Sequence, residues 1–254
     1  MKRLIAVLVL VLLPAQGFAA ASSYPLDNAN IDLSDKASLQ RGAKYYVNYC
    51  MGCHSLGYMR YNRMGRDLGL SDAEVEENLI FTHDTQGERN KIGALMTSAM
   101  SAAYAEKAFG IPVPDLTLVT RTRSSGSDWL YTYLRTFYLD DSKPWGVNNA
   151  VFPSVAMPHV LLDLQGAQRP VYEEHVDAKG NKHQVLIGVK QASAGVLSPT
   201  EYDQMARDIT NFLTYTGEPA KLVRYKLGAW VLFFMLILVA VSYLLKQEYW
   251  RDVK

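Results

Sequence analysis

The sequence predicts a mainly α-helical domain with a small β-hairpin excursion and one C-terminal transmembrane helix. Three observations carry this reading. Helix-start signals followed by apolar residues at helical spacing recur along the chain. One segment alternates instead. An uncharged run of nineteen residues, 227–245, lies near the end and is long enough to cross about 30 Å of hydrocarbon. The chain has 254 residues, a formal charge of +1 and 49% hydrophobic residues. That content excludes a disordered chain, and the balanced charge lacks the basic face of a nucleic-acid binder. The two cysteines, Cys50 and Cys53, are too few for a disulfide-rich scaffold, a Cys₄ zinc site or a four-thiolate iron–sulfur cluster.

The chain opens with Met1-Lys2-Arg3, a short apolar run over 4–13 and the small-residue stretch 14–22. This pattern reads as a signal peptide over 1–21; cleavage after Ala19 and cleavage after Ala21 both fit. Residues 22–220 then form one exported domain, periplasmic in a bacterium. Ser34-Asp35 precede a helix over 36–49, with Leu39, Ala43, Tyr46 and Cys50 on one face. Ser71-Asp72-Ala73-Glu74 is a capping box that opens a helix through 81. A helix over 96–108 and a short link over 115–120 follow. Ser127 starts a helix to 139, with Leu130, Tyr133, Leu134 and Phe137 facing inward. Residues 170–190 alternate around Gly180-Asn181, which predicts a two-stranded hairpin. Ser198-Pro199-Thr200-Glu201 starts a helix carrying Tyr202, Met205, Ile209, Phe212 and Leu213 at core spacing, ending before Gly217 and Pro219.

Residues 221–245 form the membrane-proximal segment and the span, and 246–254 a tail on the cytoplasmic side. Trp230 and Tyr243 sit near the ends of the span, at headgroup level. Residues 22–220 hold 18 Lys+Arg against 23 Asp+Glu, a net of −5, so the positive charge gathers at the membrane end. An acidic exported face suits steering of a basic protein partner as well as plain solubility.

Residues 50–54 read Cys50-Met51-Gly52-Cys53-His54, the C-x-x-C-H attachment motif of c-type haem. On a helical turn the two sulfurs face one side, where each can form a thioether with a vinyl group of the same haem. His54 follows at once, so its imidazole can reach the iron. A redox pair would need a thioredoxin-like βαβ setting, which the chain lacks. The domain is therefore expected to be a c-type cytochrome holding one covalent haem c. The second axial ligand must be a Met or another His. Met157, in Phe152-Pro153-Ser154-Val155-Ala156-Met157-Pro158-His159, is the first candidate, because prolines keep this segment non-helical. His159 is the rival, two residues away and on the same face of an extended segment. Met59, Met64, Met96, Met100 and Met205 read as core packing.

Taken together, these residues resemble cytochrome c₁, the haem subunit of the cytochrome bc₁ complex. The resemblance covers nearly the whole mature chain. It rests on Arg41-Gly42 and Tyr46 before the haem motif, Pro114-Asp115-Leu116-Thr117 and Arg121, the aromatic run Asp128-Trp129-Leu130-Tyr131-Thr132-Tyr133-Leu134, Ala156-Met157-Pro158, and the C-terminal anchor. The short form, without a long acidic insertion, looks bacterial. The resemblance implies thioethers at Cys50 and Cys53, axial ligation by His54 and Met157, Arg121 on a haem propionate, and Pro114 and Leu116 packed against the haem. It also implies a place in the bacterial inner membrane and a dimeric complex. Electrons would arrive from the Rieske iron–sulfur protein beside cytochrome b and leave to cytochrome c. One departure is Pro112-Val113-Pro114, where the family often has two adjacent prolines before the aspartate. A membrane-anchored c-type cytochrome of another respiratory complex, such as an oxidase, is the alternative, with an anchored thiol–disulfide enzyme as a further class.

Overall fold

A computed structural model describes residues 24–252 apart from 85 and 177–179. The expected signal peptide lies outside the described residues. Helix α1, Lys36–Tyr45, starts at Asp35, whose carboxylate accepts from the Ser38 amide at 3.0 Å. The expected helix to 49 ends early. Its last turn widens into a π-helical turn, Tyr46–Cys50, that leads directly into the haem motif. Such turns insert an extra residue, and side-chain periodicity does not reveal them.

Strand β1, Leu56–Arg60, and helix α2, Tyr61–Leu68, follow; neither is evident from residue periodicity. Helix α3, Asp72–Leu79, has the full Ser71/Glu74 capping box. Strand β2, Leu95–Met96, pairs antiparallel with β1. It occupies the start of the helix expected from 96, so helix α4 is confined to Ala102–Phe109. The link expected over 115–120 ends in a single helical turn, α5, Val119–Thr122. Helix α6, Gly126–Arg135, buries Leu130, Tyr133 and Leu134 as expected. It stops short of 139 because strand β3, Phe137–Leu139, pairs with β4, Val147–Asn149. Three residues are too few for helical and strand periods to differ.

Helix α7, Leu162–Gln165, precedes the expected hairpin of β5, Gln168–Val176, and β6, Lys182–Gln191. Helix α8, Pro199–Gly217, has the Ser198/Glu201 capping box and Pro at its first turn, and it runs one residue further than expected. Helix α9, Lys221–Tyr249, has no buried residue. Its 29 residues span about 43 Å at 1.5 Å each, more than the ~30 Å of hydrocarbon, so the first residues of the expected tail are still helical.

The core forms where α1 crosses α8. A Cβ added at Gly42 would lie 2.1 Å from the Asp208 carbonyl oxygen and 2.7 Å from Phe212 Cβ, so only glycine allows this approach. Beside it, Arg41 makes a two-pronged pair with the buried Asp208 carboxylate, Nε at 2.7 Å and a second nitrogen at 3.0 Å. Ser38 Oγ also donates to Asp208, at 2.7 Å. The buried charge is thus paired and hydrogen-bonded, as burial requires. A Gly42→Ala variant should lose about 1–3 kcal/mol of stability through overpacking, read as a lower midpoint in thermal unfolding of the haem domain.

Glu218 joins the domain to its anchor. It pairs with Arg121 at 3.2 Å and with Arg224 on the first turn of α9. Truncation before Lys221 should release a haem domain that stays in solution without detergent. A truncated domain that still sediments with vesicles would show a second membrane contact.

Candidate functional site: a cleft between the C-x-x-C-H turn and the Met157 loop

The segment 50–54 is shaped by backbone bonds. The amides of Cys53 and His54 donate to the Cys50 carbonyl at 3.1 and 2.8 Å, and the Met51 amide to Tyr46 at 2.9 Å. Tyr46, fully buried, donates its hydroxyl to the His54 carbonyl at 2.6 Å. The motif is therefore pinned to the core by the residue that opens the π-helical turn. Cys50 and Cys53 are not joined in a disulfide. Burial pushes the Cys50 thiol up to about 12, with the neighbouring Cys53 adding to the rise. A redox-active pair needs a lowered thiol, so this environment opposes thiol–disulfide chemistry.

The Pro114–Thr117 segment explains itself in the same region. The Pro114 carbonyl lies 2.8 Å from His54 Nδ1. A proton on Nδ1 satisfies this carbonyl and leaves Nε2 as a lone-pair donor, the arrangement in which ligating histidines are usually held. Burial lowers the His54 pKa, opposed by the Pro114 hydrogen bond and by Asp115, so the imidazole is held neutral. Asp115 accepts from the Gly57 amide at 2.6 Å and from the Thr117 amide at 2.7 Å. The Leu116 amide donates to Ser55 at 2.9 Å. Interrupting the proline pair with Val113 leaves this clamp intact.

Cys50, Cys53 and His54 line one cleft with Tyr49, Phe109, Ile111, Val113, Pro114, Ala156, Met157, Pro158 and Val160. The cleft holds about 520 Å³ of empty space, part of it open to solvent. Its walls are apolar, as a site for a flat hydrophobic cofactor requires. The Met157 loop is fixed by side chains of β4. Asn149 Oδ1 accepts from the Val151 and Phe152 amides at 3.0 and 3.1 Å, and Asn148 Oδ1 from Ser154 at 2.8 Å. Tyr133 donates to the Met157 sulfur at 3.3 Å. Burial raises the Tyr133 pKa, so its hydroxyl stays protonated.

His159, the rival, is used elsewhere. Its ring stacks on Phe137 at 4.7 Å and 3°, and Nε2 lies 2.8 Å from Gln165 Oε1. It does not line the cleft. Leu116 also lies outside the lining; it packs against the main core. Arg121 is not among the lining residues either, and its guanidinium is turned to Glu218. Two residues on, Arg123 sits 4.4 Å above the Trp129 ring and 5.2 Å from that of Phe152, at the edge of the Met157 loop. Arg123, like Arg121, is not among the residues that line the cleft. Neighbouring arginines on a tight turn point to different sides, and spacing alone does not choose between them.

Two thiols, an oriented imidazole and a thioether converge on one apolar cleft. This donor set fits haem c, and with the one helix among the described residues that is long and apolar enough to cross a membrane it defines a membrane-tethered c-type cytochrome. The Cytochrome C1 family pattern matches residues 28–179 and 195–253. The unmatched gap falls mostly on β6 of the exposed hairpin. The chain is 53% identical to cytochrome c1 of Allochromatium vinosum, covering 100% of both chains. It is 43% identical over 97% of its length to the ammonia monooxygenase gamma subunit of Nitrosomonas europaea, covering 96% of that protein. It is 28% identical over 95% of its length to the mitochondrial cytochrome c1 heme protein of Neurospora crassa, covering 70% of that chain. The chain belongs to the cytochrome c₁ family. Membership makes it a membrane-anchored, haem c-bearing electron-transfer subunit of a cytochrome bc₁ complex.

Proposed function

We propose that this chain carries one haem c bonded through Cys50 and Cys53 and ligated by His54 and Met157, takes electrons from the Rieske iron–sulfur protein and passes them to cytochrome c. The observation that carries this reading is the convergence of those four side chains on one apolar cleft. Bound haem c supplies a one-electron couple. The protein's part is orientation, exclusion of water and tuning. The Pro114 carbonyl fixes the His54 ring, and the β4 asparagines fix the Met157 loop. Phe109, Ile111, Val113 and Val160 keep the cleft apolar. Pro114 packs beside the cofactor, and Arg121 is the guanidinium carried over from the family to meet a propionate carboxylate. Held by both His54 and Met157, the iron would have no position left for a substrate and would carry electrons only.

With residues 1–21 read as a signal peptide and α9 as the anchor, the haem domain lies on the periplasmic face of the bacterial inner membrane, beside cytochrome b in a dimeric complex. The net charge of −5 over 22–220 favours a basic acceptor at low salt. A second reading draws on the Nitrosomonas relative, whose name places it with an ammonia monooxygenase. Purification from solubilised membranes separates the two. The bc₁ reading expects this chain with cytochrome b and a Rieske protein; recovery only with a copper-containing oxidase or monooxygenase contradicts it.

A further inference from the structure

We propose that Tyr133 is the positioning residue of the Met157 ligand, and that its hydrogen bond to the Met157 sulfur raises the reduction potential of the site. The inference rests on the reading of Met157 as an axial ligand. The Tyr133 hydroxyl lies 3.3 Å from the sulfur, and the residue is only 8% exposed. Its ring cannot swing away. One face stacks on Trp129 at 5.0 Å and 12°, and the ring meets Phe137 edge-on at 5.1 Å and 72°. Phe137 in turn stacks on His159, which Gln165 holds. The far end of the Met157 loop is thus tied to the same aromatic stack that aims the phenol. His159, two residues after the ligand, acts as the anchor of this arrangement.

A thioether sulfur has two lone pairs. One can face the iron while the other accepts from Tyr133. A donor on the second pair draws density from the sulfur. The sulfur then gives less to the oxidised metal, which needs it more, so the reduced state gains. The hydrogen bond also fixes the sulfur's rotation about its own side chain, which keeps the ligand in register.

The test is Tyr133→Phe in the full-length chain within its membrane complex, read by redox titration and by the far-red iron–sulfur charge-transfer band. The variant removes one oxygen atom and leaves the stack. The expected result is retained covalent haem, a retained band, and a three- to tenfold fall in the reduction equilibrium constant, about 30–60 mV. An unchanged potential with the band intact overturns the role of Tyr133 and leaves Met157 as the ligand. Absence of the band from the unmutated protein overturns the Met157 reading itself. If Tyr133→Phe loses the band, 3,5-difluorotyrosine at position 133 decides. It keeps the ring and is a stronger donor, so the potential must rise, and no rise overturns the proposal.

Discussion

A Cys50→Ala, Cys53→Ala double variant is expected to yield no stable haem domain. Cys50 is buried and Cys53 half-buried at the end of the turn that Tyr46 ties to the core. The cleft they face holds about 520 Å³ and is walled by Tyr49, Phe109, Ile111 and Val160. Without the cofactor those apolar groups face water or an empty space. The enclosed part of that space is about 70 Å³, and at about 24 cal/mol per Å³ leaving it empty costs roughly 2 kcal/mol. That is a large part of the ~5–15 kcal/mol that holds a domain together. The single thiol removals should be milder, because one thioether still retains the haem. Haem-stained gels and limited proteolysis of the exported chain read the outcome. A folded, protease-resistant apoprotein would contradict the account.

The second large effect belongs to Met157→Leu. Leucine preserves volume and apolarity, so the loop held by Asn148 and Asn149 should keep its shape. Covalent haem should remain, since Cys50, Cys53 and His54 are untouched. The potential should fall by on the order of 0.1 V, within the ~0.8 V range that axial ligands span. The vacated position should bind carbon monoxide. The fall should exceed that of Tyr133→Phe, because one variant removes the sulfur and the other only its hydrogen bond. In the Met157→Leu background, Tyr133→Phe should change the potential little, since no sulfur remains to accept. An unchanged potential in Met157→Leu would transfer the axial role to another residue.

Much of this fold could be read from local signals. The capping boxes at Ser71 and Ser198 set two helix starts correctly, because both partners of each cap lie within four residues. The uncharged run marked α9, and alternation marked the hairpin. The short strands β1 to β4 escaped because two to five residues carry too little period, and their pairing depends on contacts distant in sequence. The π-helical turn at Tyr46–Cys50 escaped for a different reason. One added residue per turn leaves each buried side chain close to the α-helical face.

The cleft divides in the same way. Cys50, Cys53 and His54 are adjacent, so their chemistry is visible in five letters. Met157 was accessible through its flanking prolines, whereas the Phe137 stack and the Gln165 contact that occupy His159 are visible only in the structure. Tyr133 read only as an inward-facing core residue, since nothing in its spacing points to a sulfur twenty-four residues later. Arg121 and Arg123 differ by two positions, and only the structure shows that one pairs with Glu218 while the other covers the Trp129 ring.

The most direct test of the whole account is a redox titration of the purified membrane complex, followed by its reduced-minus-oxidised spectrum and by haem retention on this chain after denaturation. The account predicts one haem c per chain that stays attached in denaturant, titrates as a single one-electron step at a raised potential and binds no carbon monoxide. Haem that washes out on denaturation, or a reduced iron that binds carbon monoxide in the unmutated protein, would contradict it.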